Sequence, residues 1–594
     1  MHVRYGHSLR LRLVTYSMKR FLGLAFLMVL LVALPTWASQ SLGVVYPPAD
    51  HQTTAARIFL IGSAPIAGSV SVNGQAIARS LGGHFAPSFP LRLGENLFSL
   101  RYRDQEVNIK VTRKSAEPSA PEGLAFGQDS LTPIADIARL PGELVCFGAI
   151  APATAMVSVK LADQIIPLQR QTAIVTLPEN SGVLTGLTQP TPINGAGQYA
   201  GCVKADTAGE LGQPEYLLNV KGASFAQSAP GKVKILTPAQ LEVAEVTADQ
   251  GVARTGASTD YSRLTPLPKG TRATVTGREG EWLRLDYGGW IKSGETKIVA
   301  SSVPVRSLIR GVTSRQKADW TEILFPLQVP IPVTVQQSRD TFVLTLYNTT
   351  AQTDTIRLSK NPLITFLNWQ QVEPGRVDYR FSLKSSQQWG YKLRYDGTTL
   401  VLSLRNPPKI APKRQAKSLT GVRILLDPGH GGPEDFGSRG PTGYPEKDVA
   451  LITSKLVRSH LLDRGATVLI TREADVDLLP NDRAAMIQKM EPTIAVSLHY
   501  NALPDDGDAI NTKGVAAFWY QPQAQDLAAF LHDYLVKTLD RPSYGMFWNN
   551  LALTRPTIAP SVLLELGFMI NPIEFEWITN PQAQQKLALT LADG

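Results

Sequence analysis

Val422-Arg-Ile-Leu-Leu-Asp-Pro-Gly-His-Gly-Gly432 reads as an apolar β-type run that stops at Asp-Pro-Gly and delivers His430 into a glycine-flanked turn. Glycine on both sides of a polar residue lets the backbone approach an ion or a substrate closely. Two later segments have a similar design. Ile494-Ala-Val-Ser-Leu-His-Tyr-Asn-Ala502 is a second short apolar run ending in His499, and in Pro560-Ser-Val-Leu-Leu-Glu-Leu-Gly-Phe568 Glu565 interrupts a hydrophobic strand just before a glycine. Between the first two, Pro445-Glu446 opens a helical stretch to about Asp463, with Val449, Ile452 and Leu456 expected on one face and Gly465 just past its end. Glu446 therefore falls in the first helical turn.

The order that results is strand 422–427, helix 446–463, strand 466–471, helix 482–490, strand 493–499, strand 515–520, helix 523–539 and strand 561–566. Strands alternating with helices imply an α/β layer fold with a mostly parallel sheet. Ligands of open sheets gather beyond the carboxyl ends of parallel strands, and His430, His499 and Glu565 meet there if their strands run parallel.

Two neutral imidazoles and one carboxylate make three protein ligands, and zinc held by three such ligands keeps a fourth position for water. A second, unbound carboxylate can then take the proton of that water and return it to a leaving amine. His430, Glu446, His499 and Glu565 cover those roles. Taken singly, each has a plainer reading. Glu446 complements the positive end of its helix, Asp-Pro-Gly is a turn, and His499 is a hydrogen-bonded core histidine. Glu565 resists such a reading, because a carboxylate in so apolar a strand is costly unless paired or bound to a metal. His460 and His532 lie on ordinary helix faces and are expected to serve packing, and His2, His7, His51 and His84 have no comparable context.

The segments Asp427-Pro-Gly-His-Gly-Gly432, Glu446-Lys-Asp448, Ile470-Thr-Arg472, Ser497-Leu-His-Tyr-Asn-Ala502 and Leu564-Glu-Leu-Gly-Phe568 resemble, collinearly over residues 421–594, the zinc-dependent N-acetylmuramoyl-L-alanine amidases that trim bacterial peptidoglycan. The resemblance implies that His430, Glu446 and His499 are ligands of Zn2+ and that Glu565 is the catalytic carboxylate. It also implies the substrate, the amide joining the lactyl group of N-acetylmuramic acid to the L-alanine of the stem peptide. The chain departs from the family pattern at the Ser438-Arg439 pair and at Tyr500, which touch specificity more than mechanism. Some division amidases of this family carry a long insertion between the second histidine motif and the catalytic glutamate, whose helix blocks the metal. Here 65 residues separate His499 from Glu565 and leave no room for it, which implies an open site governed by where the N-terminal modules place it.

Three other classes compete. One is a catalytically inactive module that only binds cell wall, and another is a different zinc amidohydrolase. The third is an iron(II) oxygenase, which also uses two histidines and one carboxylate. Oxygenase ligands usually begin with a close His-x-Asp/Glu pair, whereas His430 and Glu446 are 16 positions apart, and Glu565 has no role in that chemistry.

At the other end, Phe21 to Leu34 is an apolar run of 14 residues preceded by Met18-Lys19-Arg20 and followed by Thr36-Trp37-Ala38. That is the pattern of a secretory signal, too short to span a bilayer as a helix. It predicts an exported protein of the periplasm or cell wall with no integral anchor after cleavage. The first 38 residues hold five Lys and Arg and no acid, so the formal charge of +9 falls to +4 in the mature chain. Residues 421–594 carry −7, with 14 Lys and Arg against 21 Asp and Glu, which leaves +11 on the stretch between. This asymmetry points to middle domains that contact anionic wall polymer, peptidoglycan being the expected partner together with wall- or division-associated proteins, and no nucleic acid. An ordinary solvated surface is the alternative. Cys146 and Cys202 are the only cysteines and are candidates for a disulfide in an oxidising compartment.

The 594 residues suggest about four domains. After a signal peptide at 1–38, residues 40–113 read as short alternating strands with turns at Ala67-Gly68, Asn73-Gly74 and Gly94-Glu95-Asn96, resembling an immunoglobulin-like module. A Ser-Ala-Glu-Pro linker at 115–122 leads to a second β-domain at 120–235. Residues 236–303 resemble a bacterial SH3-like barrel, a module often used for wall attachment, in which Trp282 and Trp290 are candidates for a binding face. Residues 304–405 are strand-rich and look like the targeting β-domain of some periplasmic amidases. A basic, proline-containing linker at 406–420 then precedes the α/β catalytic domain at 421–594.

Overall fold

The computed structural model describes residues 41–115, 120–176, 191–194, 197–409 and 417–594. The expected export segment at 1–38 lies outside them, as do residues 116–119 and 410–416 of the two expected linkers.

The C-terminal region runs β1 (Arg423–Pro428), α1 (Glu446–Asp463), β2 (Thr467–Ile470), α2 (Pro480–Met490), β3 (Ile494–Asn501), β4 (Val515–Trp519), α3 (Gln525–Leu539), β5 (Ser543–Trp548), β6 (Ser561–Phe568), α4 (Pro572–Ile578) and α5 (Pro581–Asp593). One sheet takes the order β2-β1-β3-β6-β4-β5. The first four strands are mutually parallel, whereas β4 runs antiparallel to β6 and carries β5 parallel to itself. The carboxyl ends of β1, β3 and β6 therefore share one edge, and the register sets His499 directly opposite Glu565. Successive side chains alternate between two cores, as the two-residue period of a strand demands. Leu426, Leu498 and Leu564 pack under α1, α3 and α5 with Val449, Leu535 and Leu587, while Leu425, Ala495 and Leu563 face the other side with Ile487 and Phe518.

The buried face of α1 differs from expectation. It runs through Val449, Thr453, Val457 and Leu461, and Ile452 is exposed. Thr453 on that face is satisfied, its Oγ1 lying 2.8 Å from the buried Tyr500 hydroxyl. Gly465 ends the helix with φ +89°, open to glycine at little cost. Helices α4 and α5 and strand β5 were not anticipated. Both helices begin at an Asn-Pro pair, where the Asn571 and Asn580 side chains accept hydrogen bonds from the two exposed amides that follow and proline occupies the first helical position.

The N-terminal regions are built of strands. Between Gly43 and Arg113 a three-stranded and a five-stranded sheet share a core of Ile58, Leu60, Phe85, Leu100 and Val111. In the following region Cys146 and Cys202 face each other across an antiparallel pair and form a disulfide, with Cα atoms 4.0 Å apart. An eight-stranded sheet crosses from there into the barrel: Ile137 is paired with Val233 on one side and Glu279 on the other. Neither barrel tryptophan presents a bare face. Trp282 is buried with Lys292 over its ring, and Trp290 is half-buried with Arg139 and Arg284 over it.

Two of these regions grip the C-terminal domain. Phe59, Ile61 and Ala86 form one cluster with Ala509, Phe568 and Ile570, flanked by His51 Nε2 at 2.9 Å from Asp505 and by Gly82 N donating to Glu576 at 2.7 Å. From residues 304–405, Trp320 enters the core of Leu425 and Leu563, Lys392 pairs with Glu491 at 2.7 Å, and Tyr391 N donates to Thr557 at 2.8 Å. Gly390 lies so close to this domain that a Cβ there would meet the Ile558 carbonyl at 2.2 Å. Among the described residues, no helix is long and apolar enough to cross a membrane.

Candidate metal centre

At the carboxyl end of β1 the chain must turn sharply while bringing a histidine under the sheet edge. Pro428 ends the strand, and His430 takes φ +57°, a left-handed conformation that a non-glycine residue holds only when its surroundings impose it. Two buried arginines impose it. Arg472 donates to the carbonyls of Pro428 (3.1 Å), Gly429 (2.8 Å) and Lys447 (2.7 Å), and Arg483 donates to Pro428 (2.6 Å) and His430 (2.6 Å). Their charge is partly balanced by Asp427, fully buried, which pairs with Arg483 at 3.0 Å and accepts from Thr471 and Ser497 at 2.6 Å each. Glycines supply the space: a Cβ at Gly429 would strike the His499 ring at 2.4 Å, and one at Gly437 would strike Glu446 at 2.5 Å and His430 at 2.6 Å.

The three expected ligands converge. One nitrogen or oxygen donor from each of His430, Glu446 and His499 lies within 4.8 Å of the others. Glu446 Oε1 is 3.2 Å from His430 Nε2 and 3.1 Å from His499 Nδ1, and it accepts from Tyr500 N at 2.9 Å. Its other oxygen accepts from Ser438 N at 2.8 Å, with Ser438 Oγ at 3.0 Å. Thus Ser438, through its amide and hydroxyl, and the Tyr500 amide build the cradle of the buried carboxylate. His430 Nδ1 sits 2.6 Å from Asp435 Oδ1, a carboxylate–histidine arrangement that fixes the ring and leaves Nε2 pointing at the other donors. Burial alone would lower the His430 pKa, yet Glu446 and Asp435 outweigh it and push it up to about 9. Burial likewise opposes ionisation of Glu446, but the two histidines hold its carboxyl well below the usual range. A buried carboxylate held beside two imidazoles fits a bound cation.

Glu565 comes to the same place without joining the donor group. Among the described residues its buried Oε2 has no hydrogen-bond partner, nor does His499 Nε2. Burial and then the Glu446 charge raise its pKa well above the carboxylate range. The other described histidines lie elsewhere. His532 is buried between Asp533 and Ser543, both at 2.9 Å, and His84 packs edge-on to Phe575 at the domain seam. Asp435 and Arg483 were missed at the sequence level. The first stands five residues after His430 in a turn, a spacing that invites the test, whereas the second shares no motif with the site.

Residues 424–594 match the family model described as N-acetylmuramoyl-L-alanine amidase, and residues 252–297 match that of a bacterial SH3 domain. The chain is 32% identical over 193 residues to the germination-specific N-acetylmuramoyl-L-alanine amidase of Bacillus subtilis, covering 30% of this chain and 79% of that one. It is 32% identical over 177 residues to the probable cell wall amidase LytH of Staphylococcus epidermidis, of which it spans 58%. Among solved structures, an N-acetylmuramoyl-L-alanine amidase from Clostridium difficile 630 aligns at 26% identity over 29% of this chain and 93% of that one, with a TM-score of 0.28. With the Bacillus relative matched over most of its length, the chain belongs to the N-acetylmuramoyl-L-alanine amidase family and is a peptidoglycan amidase carrying an SH3 domain ahead of its catalytic domain.

Proposed function

We propose that the chain is a zinc-dependent, exported amidase that hydrolyses the bond between the lactyl group of N-acetylmuramic acid and the L-alanine of the stem peptide. The observation that carries the metal assignment is the convergence of His430, Glu446 and His499 donors within 4.8 Å. Zinc held by two imidazoles and a carboxylate supplies Lewis acidity and lowers the pKa of water toward neutrality. The protein's own residues do the rest. Asp435 holds the His430 ring in the tautomer that leaves Nε2 free, and Ser438 and Tyr500 N fix the Glu446 carboxylate so that the donor set is formed before any ligand arrives. Glu565 accepts a proton from the attacking water and delivers it to the departing L-alanine nitrogen. Its place directly opposite His499 in the sheet puts its carboxyl beside the three donors, where that proton must pass.

Digestion of purified sacculi tests this reading. Expected products are intact stem peptides with free L-alanine amino ends and glycan bearing free lactyl groups, with activity lost on chelation and restored by zinc. Reducing sugar ends would mean a glycosidase, and binding without turnover by zinc-loaded protein would mean a wall-binding module. The same reading places the protein at the wall or in the periplasm, with peptidoglycan as its partner.

A further inference from the structure

Residues 254–263 of the SH3-like barrel leave its sheet as a hairpin and extend to the catalytic domain. Thr255 N donates to the Ser262 carbonyl at 2.9 Å and Leu264 N to the Ala253 carbonyl at 2.9 Å, which closes the neck. Inside the hairpin, Arg254 donates to the carbonyls of Thr259 and Tyr261 at 2.6 Å each, and the Tyr261 ring lies over Gly256, where a Cβ would meet it at 2.5 Å. The hairpin is therefore built to hold a shape. Its outer residues line a cavity of about 510 Å³ whose other walls include Asn501, Arg555 and Glu565. A barrel loop thus shares an enclosure with the carboxylate assigned to proton transfer.

The lining of that enclosure is cationic. Arg254, Arg263 and Arg555 face it against two acids, Asp260 and Glu565, and three cations to two acids leave a positive excess. Arg254 is satisfied by loop carbonyls, and Arg555 donates to the Asn550 side chain at 2.8 Å and to its carbonyl at 3.1 Å. Half-buried Arg263 makes no hydrogen bond to any described residue. Asp260 and Glu295 offset part of the charge on Arg254. Burial together with the neighbouring arginines pushes Arg555 down to about 10. Like charges crowded into a partly buried cavity are unfavourable unless an anion joins them.

We propose that this hairpin completes the peptide subsite of the amidase, with Arg263 and Arg555 binding a carboxylate of the stem peptide beyond the scissile bond and Arg254 acting as a positioning residue for the loop. This rests on the amidase reading above. Each residue past the cleaved amide adds about 3.5 Å of chain, so the α-carboxylate of the second stem residue lies within the reach of this cavity. The barrel then serves as a wall of the active site and selects substrate, in addition to any contact with the polymer. That revises the expectation that the N-terminal modules act only by placement.

The test uses the full zinc-loaded chain and two muramoyl dipeptides that differ in one group, the α-carboxylate of the second residue being free or amidated. The free acid should be preferred on the order of ten- to a hundredfold in kcat/KM, the worth of a hydrogen bond to a charged group. Arg263→Gln should erase that preference by raising KM for the acid far more than for the amide, and Arg263→Lys should retain part of it. Equal loss on both substrates, or no loss on either, overturns the proposal. Cleavage of neither substrate by the unaltered chain overturns the amidase reading itself, and the proposal falls with it.

Discussion

Glu565→Gln separates proton transfer from metal binding. Glutamine keeps the volume of the side chain, and the replaced oxygen, Oε2, has no hydrogen-bond partner among the described residues to lose. The carboxyl is partly buried and raised in pKa by burial and by the Glu446 charge, so its neutral replacement should leave the fold as stable as before or more so. The chemical step is another matter. General acid–base catalysis contributes on the order of 10²- to 10⁴-fold, or about 3 to 5 kcal/mol of barrier. Turnover of soluble muropeptide, followed by the appearance of L-alanine amino ends, should fall by about that factor. Zinc content by atomic absorption should stay at one per chain. Loss of zinc along with activity would make Glu565 a ligand, and activity within tenfold of the unaltered protein would remove it from proton transfer.

His430→Ala and His499→Ala should each lower zinc occupancy and activity together, because removing one of three ligands leaves an incomplete shell, while His460→Ala changes neither; full activity of His499→Ala would refute the site. Asp435→Asn should weaken zinc by roughly 10- to 100-fold through loss of the carboxylate behind His430, read by competition with a chelator, and unchanged affinity would deny Asp435 that part. Reduction of the exposed Cys146–Cys202 bond, which spans 56 residues, should cost its β-region about 4 kcal/mol in the chain-entropy account; denaturant melts with and without reductant measure it. Asp505, held below the usual carboxylate range by Thr53, Tyr46 and His51 against the effect of burial, contributes stability above its unfolded pKa of roughly 4 that is lost as pH falls through its folded value. Acid titration should accordingly destabilise the unaltered chain more than Asp505→Asn, and parallel curves would show that the seam does not titrate.

The reach of the sequence followed the range of the interactions. Period and composition located β1, β3 and β6 because each is a local apolar run; His430, His499 and Glu565 stood out because they end or interrupt such runs, and Glu446 because Pro445 marks a helix start. Ile452 was placed on the buried face of α1 because hydropathy cannot anticipate that Thr453 is accommodated there by the Tyr500 hydroxyl. Arg472 was visible only as part of a family segment and Arg483 not at all, since their work is done on backbone carbonyls, which every residue has. His51 and His84 looked featureless for the same kind of reason: His51 pairs with a residue 454 positions away, and His84 packs on Phe575. The Asn-Pro starts of α4 and α5 were local signals and were legible, but went unread beside the stronger motifs.

The grip of two β-regions on the catalytic domain alters what the stretch at 406–420 is for. A hydrolase on a free leash samples a sphere whose radius the leash sets, and lengthening it widens the search. Here Trp320 is seated inside the catalytic domain and Phe59 and Ile61 are packed against its opposite strand end, so extra residues in that stretch would change nothing about where the cut falls. The cutting edge has a fixed bearing on the β-regions packed against it. Which bond in a glycan meshwork is severed is then decided by how the whole protein lies on the mesh, and the pitch of that contact is written into the packing at the seams.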